Sequence, residues 1–306
     1  AIGHRMEAMP HPDHGATTST PRGERVIGRR GRRAWLQATG LGTLGVLSSV
    51  HLTDRPGNTL KSLSGAYAPP PEGSRFVQVR EHELVGLRVT EVVLGKAELD
   101  DRLPMLVHFH GRGDQPHLPQ GDHGGTPQTR LIFPWAPDRL GDGYTWYPLS
   151  VTDRSRDEKV LGHYIREQSD VVDKMLRELV SRRPTLGRPV VTGFSQGAMM
   201  TLALALRHAP RIGGAVPVAG WMPNFLVDEN VQQGKVYPPI HAMHGRGDPI
   251  VKASPAVALI ARLRELGLDA TMEVFEANDH AMNKDMHARH REIVIELLAD
   301  QRRALV

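Results

Sequence analysis

At 306 residues, with 40% hydrophobic and 24% charged residues, the chain has an ordinary globular composition, which excludes a fibrous or wholly disordered protein. It contains no cysteine, so disulfides, thiolate nucleophiles and cysteine metal ligands are excluded. The net charge of +4 is unevenly spread: residues 1–65 hold nine Lys/Arg and four Asp/Glu, a net of +5, which leaves the rest at −1. A nucleic-acid-binding protein would keep its basic surplus in the folded body. Nucleic acid is therefore excluded as the main partner.

Residues 1–33 show no hydrophobic periodicity and lead into Arg29-Arg30-Gly31-Arg32-Arg33-Ala34-Trp35-Leu36. A mildly apolar stretch, Ala38 to Val50, follows. A basic segment ahead of a short, glycine-interrupted apolar segment is too short to span a bilayer and reads as an export signal. It resembles a twin-arginine signal, with Arg32-Arg33 as the pair and Trp35-Leu36 in the apolar positions. That resemblance implies the export machinery as a partner and a periplasmic or secreted protein. Pro69-Pro70-Pro71 reads as a stiff spacer. The expected organisation is a leader over 1–71 and a catalytic domain over 72–306.

From residue 75 strand-like and helix-like segments alternate. Arg75–Arg80 and Leu84–Leu94 are expected as a hairpin, Pro104–His110 as a strand running into Gly111-Arg112-Gly113-Asp114, and 114–129 as a loop rich in Gly, Pro and His. Arg130–Pro134 is a further strand. Glu158–Arg182 carries apolar residues at helical spacing. Pro189–Phe194 reads as a strand and Gly197–His208 as an apolar helix. Three more strands (Ala215–Ala219, Ile240–His244, Ala270–Phe275) and two helices (Ser254–Leu266, Asp285–Leu305) complete the pattern. Such alternation predicts an α/β fold with a mostly parallel sheet and helices on both faces. Ligands in such sheets bind beyond the carboxyl ends of the strands.

Gly193-Phe194-Ser195-Gln196-Gly197 fits G-x-S-x-G, a pattern that chance would supply roughly 0.1 times in a chain of this composition. Its position gives it weight. It follows a strand and opens an apolar helix, as a nucleophile elbow requires, and the helix N-terminus adds oriented N–H groups. A serine hydroxyl needs a base. Asp248 falls in a turn beyond the strand Ile240–His244, and His280 follows the strand Ala270–Phe275. The chain order Ser195, Asp248, His280 is that of α/β-hydrolases. Asp279 is a poor partner for its own neighbour, and His287 and His290 are expected on the surface of the last helix.

His110-Gly111-Arg112-Gly113 has the HGxG form, so the backbone N–H groups of Arg112 and Gln196 are the candidate oxyanion donors. Arg112 and Trp146 are the candidate substrate-binding residues. The Arg112 side chain either lines the acyl pocket or turns outward to pair with an acid such as Asp114. His108-x-His110 invites a metal reading, but no carboxylate pair completes a site in sequence, and both are expected to be structural.

These motifs resemble the phospholipase/carboxylesterase branch of the α/β-hydrolase fold. The matching residues are Val107 to Asp114, Gly193 to Ala198, His244 to Val251, and His280, over roughly residues 76–305. The resemblance implies cleavage of esters or thioesters of small molecules, with no cofactor and no metal. Two departures stand out: Arg112 occupies a position that is commonly apolar in the family, and the loop after Asp114 is long. A serine peptidase or amidase of the same fold, or a non-catalytic binding protein on a hydrolase scaffold, are the alternatives.

Overall fold

The computed structural model describes residues 76–95, 97–117, 128–148, 157–276 and 279–303. The leader with Arg32-Arg33, the proline spacer and the boundary near residue 72 lie outside the described residues, as does the middle of the loop after Asp114. Among the described residues, no helix is long and apolar enough to cross a membrane.

The hairpin forms from β1 (Phe76–Leu84) and β2 (Leu87–Leu94), paired antiparallel. Its turn is Val85-Gly86, both at positive φ, a few residues later than the sequence pattern suggested. Two positive-φ residues in a two-residue loop match the twist of the flanking strands. The remaining strands of the main sheet are β3 (Met105–Phe109), β4 (Thr129–Pro134), β7 (Val190–Phe194), β8 (Gly214–Val218), β9 (Ile240–Gly245) and β10 (Ala270–Phe275). The eight strands lie in the order β1-β2-β4-β3-β7-β8-β9-β10. All pairings from β4 to β10 are parallel. The short β5 (Asp138–Leu140) and β6 (Gly143–Thr145) form a separate hairpin that the sequence pattern does not reveal.

Helix α1 (Glu158–Arg182) has the expected bounds. Its first turn is capped by the Asp157 carboxylate, which accepts from the Lys159 N–H at 2.8 Å, satisfying a donor that the helix itself cannot. Helix α2 (Gln196–Arg207) is buried at every residue from Gln196 to Leu206. It lies under α1 and over β3, β7 and β8, so an all-round apolar sequence is what its position demands. A short helix, α3 (Asn224–Asn230), follows β8 and is also absent from the sequence pattern. Helix α4 (Ala253–Glu265) joins α1 and α2 in one apolar core with Phe109, Val191 and Ile240. Helix α5 (Lys284–Arg303) covers the other face through Ile293, Val294 and Leu297 against Val190, Val216 and Met243. The sheet is thus mostly parallel and covered on both faces, which is an α/β-hydrolase fold.

At the β1-β2 edge the core carries charge. Glu91 and Arg130 have fully buried side chains, and Arg130 Nε donates to Glu91 Oε1 at 2.9 Å. Arg183 Nη2 and His82 Nε2 reach Glu91 Oε2 at 3.0 and 2.7 Å. Burial alone would raise the Glu91 pKa, but the hydrogen bonds and charges of His82 and Arg183 prevail and lower it to about 2. This cluster ties β1, β2, β4 and the end of α1 together.

Candidate active site

The site is built from the turn between β7 and α2 outward. Ser195 has φ 55° and ψ −115°, a region that costs a non-glycine residue energy and persists only where the surroundings enforce it. The surroundings here are two close backbone approaches. A β-carbon on Gly193 would stand 2.5 Å from the Gly197 carbonyl, and one on Gly197 would stand 2.2 Å from the Phe109 carbonyl oxygen. Real β-carbons do not come so close, so glycine at both positions is what allows the sharp turn. The Ser195 N–H donates to the Val218 carbonyl at 2.9 Å, which fixes the turn above the carboxyl ends of β7 and β8.

The three residues far apart in sequence meet there. His280 Nε2 lies 2.8 Å from Ser195 Oγ, and His280 Nδ1 lies 2.6 Å from Asp248 Oδ2. The second carboxylate oxygen, Asp248 Oδ1, accepts the backbone N–H groups of Ile250 at 2.8 Å and Val251 at 2.9 Å. Burial pushes the Asp248 carboxyl up, but the His280 contact and the two backbone donors outweigh it and hold it below the usual carboxylate range. An ionised Asp248 can only accept, so His280 Nδ1 carries a hydrogen and Nε2 faces the serine as the acceptor. The Phe194 ring packs 4.7 Å from the His280 ring, centroid to centroid.

The HGxG loop sits beside the serine: a side chain on Gly111 would begin 3.7 Å from Ser195 Cβ. Among the described residues, neither the Arg112 N–H nor the Gln196 N–H bonds to another backbone group. The Gly113 N–H is taken, donating to the Tyr144 carbonyl at 2.7 Å. Arg112 is exposed and forms no ion pair among the described residues. Asp114 instead accepts from His117 Nε2 and from the Gln115 N–H, each at 2.8 Å, so the alternative Arg112–Asp114 pair is not formed.

Trp146 corrects the sequence reading. It is fully buried, and its indole N–H donates to the His110 carbonyl at 3.0 Å while its ring packs edge-on to Phe109. It supports the HGxG loop from below and has no surface to offer a substrate. The Gln196 side chain has a role that the sequence reading missed. Its Oε1 accepts from the Trp146 N–H at 2.9 Å and from the Thr145 hydroxyl at 3.0 Å, and its Nε2 donates to the Tyr147 carbonyl at 2.9 Å. One side chain thus ties the first residue of α2 to the segment after β6, which braces the HGxG loop through the Trp146 indole.

The histidines divide by environment. His110 Nδ1 donates to the Gly111 carbonyl at 2.8 Å and Nε2 accepts from the Ala136 N–H at 3.1 Å, and burial lowers its pKa. A ring satisfied at both nitrogens is structural. His290, expected on the surface, instead turns inward and lies 2.7 Å from the Thr192 hydroxyl, which donates its own hydrogen to the Val216 carbonyl. Among the described residues no group of three or more His, Asp and Glu side chains is placed to hold a metal ion.

The model of the phospholipase/carboxylesterase family matches residues 93–294. The chain belongs to that family, and it is a hydrolase. Lysophospholipase-like protein 1 of Mus musculus is 24% identical over 163 residues, 51% of this chain and 67% of its own length. Acyl-protein thioesterase 1 of Eremothecium gossypii is 28% identical over 165 residues, 50% of this chain and 70% of its own. Among solved structures, esterase PE8 superposes with a TM-score of 0.56 at 21% identity, covering 72% of this chain and all of that one (100%). A carboxylesterase from Mesorhizobium loti gives 0.55 at 16% identity, covering 71% and 98%. At such identities the structural likeness speaks for the fold.

Proposed function

We propose that the family member described here is a serine esterase with Ser195, His280 and Asp248 as its triad. Ser195 Oγ attacks the acyl carbonyl as His280 Nε2 takes its proton. The tetrahedral oxyanion is held by the backbone N–H groups of Arg112 and Gln196. Collapse of the intermediate expels the alcohol, which leaves with the proton from His280, and an acyl-Ser195 remains. Water, activated by the same histidine, then releases the acid. Asp248 keeps Nδ1 protonated and stabilises the imidazolium that forms in each step. The observation that carries this reading is one imidazole bridging a strained serine and a buried carboxylate, at 2.8 and 2.6 Å.

Arg112 supports a narrower substrate class. Its N–H faces the proposed oxyanion, so its side chain starts at the mouth of the acyl site, and it has no acidic partner among the described residues. Burying a guanidinium against a long acyl chain costs several kcal/mol. Short acyl chains, or acyl groups carrying a carboxylate or phosphate that the guanidinium can grip in two places, suit it better. Relatives named acyl-protein thioesterases support thioesters as a second leaving-group class. The basic leader, with Arg32-Arg33 ahead of Trp35-Leu36, supports delivery through a twin-arginine pathway to the periplasm or exterior.

A fluorophosphonate probe followed by peptide mass spectrometry tests the first claim. The adduct is expected on Ser195. A panel of acyl esters, thioesters and peptide amides is expected to show ester cleavage well above amide cleavage. Labelling elsewhere, or faster amide cleavage, would contradict the proposal.

A further inference from the structure

We infer that His244 is a positioning residue that aims Asp248, a role that nothing in the triad chemistry assigns to it and that rests on the triad reading above. His244 stands near the end of β9 and is fully buried. Its Nε2 lies 2.8 Å from the Val251 carbonyl oxygen. A carbonyl only accepts, so this nitrogen carries the ring hydrogen. The other nitrogen, Nδ1, is buried without a hydrogen-bond partner, which leaves the ring with one directed contact, and that contact is to the turn that carries the carboxylate.

Val251 donates its own N–H to Asp248 Oδ1 at 2.9 Å, and Ile250 adds a second at 2.8 Å. The carboxylate is therefore oriented by a turn, and the turn is held to β9 by the imidazole of His244. The same Nε2 lies 3.6 Å from Asp248 Oδ2, the oxygen that receives His280. A relay runs from the sheet through His244, Val251, Asp248 and His280 to Ser195. No comparable link exists for His110, which is satisfied by backbone of its own loop and by Ala136. Releasing the Val251 carbonyl frees the turn to rotate and lets the carboxylate swing. A displacement of about 1 Å in such an orienting group costs up to about a hundredfold in rate.

The test combines wild-type spectroscopy with variants. Nitrogen NMR of ¹⁵N-histidine-labelled wild-type protein is expected to show His244 neutral with the hydrogen on Nε2. The Nδ1-H tautomer would overturn the inference without any variant being made. His244→Gln keeps an N–H at the ε position and is expected to retain kcat within about threefold. His244→Leu fills the space without a donor and is expected to lose kcat by about tenfold or more, with KM nearly unchanged. It is also expected to lose the far-downfield signal of the proton between Asp248 and His280. A Leu variant with wild-type kcat and that signal intact would overturn the inference, as would a Gln variant no better than Leu. Asp248→Asn, run in parallel, separates the two claims. If it retains full turnover the triad reading fails. If it is inactive while His244→Leu is not, only the role of His244 fails.

Discussion

The Phe109 carbonyl oxygen occupies the place a β-carbon on Gly197 would need, only 2.2 Å away. The end of β3 and the start of α2 are in backbone contact through that glycine, and the contact brings the HGxG loop beside Ser195. Gly197→Ala therefore cannot be relieved by a side-chain rotation, since the obstructing atom is backbone. The variant is expected to lose the elbow geometry, with esterase activity falling at least a hundredfold and thermal stability falling by roughly 3 kcal/mol or more. Calorimetry and ester kinetics on soluble variant protein check this.

The buried charge cluster gives a second expectation. Glu91→Leu leaves the buried Arg130 and the largely buried Arg183 without their shared carboxylate, and is expected to cost about 3–5 kcal/mol. Replacing Glu91 and Arg130 together by Leu and Met removes both charges and is expected to recover much of that loss. Urea unfolding of the single and double variants measures the coupling. Equal losses in both would show that Arg130 left without its carboxylate carries no charge penalty.

Two inward histidines are expected to weaken the fold in acid. Burial lowers the His108 pKa to about 4, and burial together with neighbouring His108 lowers the His290 pKa to about 3. In the unfolded chain each takes a proton near the ordinary value of about 6.5. Below that pH the unfolded state binds more protons than the folded one, so stability falls as pH falls. The contribution of each is fully present above about 6.5 and is lost progressively toward about 4 for His108 and 3 for His290. Melting temperature is expected to decline steadily from pH 6.5 to 4.5. In His290→Gln, which keeps a donor for Thr192, the decline is expected to be shallower. Parallel curves for the two proteins would contradict this.

The proposed role of Arg112 in acyl selectivity gives a further expectation. In a chain-length series of acyl esters, Arg112→Leu is expected to gain on long chains relative to short ones by roughly 1–3 kcal/mol in relative kcat/KM. An unchanged profile would leave the guanidinium as a surface group.

The proposed export route can be tested at Arg32-Arg33. Replacing Arg32-Arg33 with a lysine pair keeps the charge but removes the residues the pathway's receptor reads. Precursor is expected to accumulate in the cytoplasm of a twin-arginine-competent host. Export equal to wild type would refute that route.

Much of this architecture is legible in the sequence because it is local. The strand–turn–helix around Ser195, the helical spacing of Glu158–Arg182 and the strand-end positions of Asp248 and His280 each lie within a short window. What is not legible depends on distant contacts. The β5-β6 hairpin has three-residue strands, too short to show a period. The burial of Trp146 is decided by the His110 carbonyl and the Phe109 ring. His290 did leave a trace, because it falls on the same helical stripe as the buried Met286, Ile293 and Leu297 of α5. Weight on residue polarity over position on the helix face assigns it to the surface.

The triad is the central claim, and the most direct measurement is ester turnover of Ser195→Ala, His280→Ala and the double variant. Groups that act as one unit do not lose activity additively. Each single change is expected to reduce kcat about as far as the double change does, while thermal unfolding stays close to wild type. Substantial turnover remaining in Ser195→Ala, or losses that simply add in the double variant, would contradict the account.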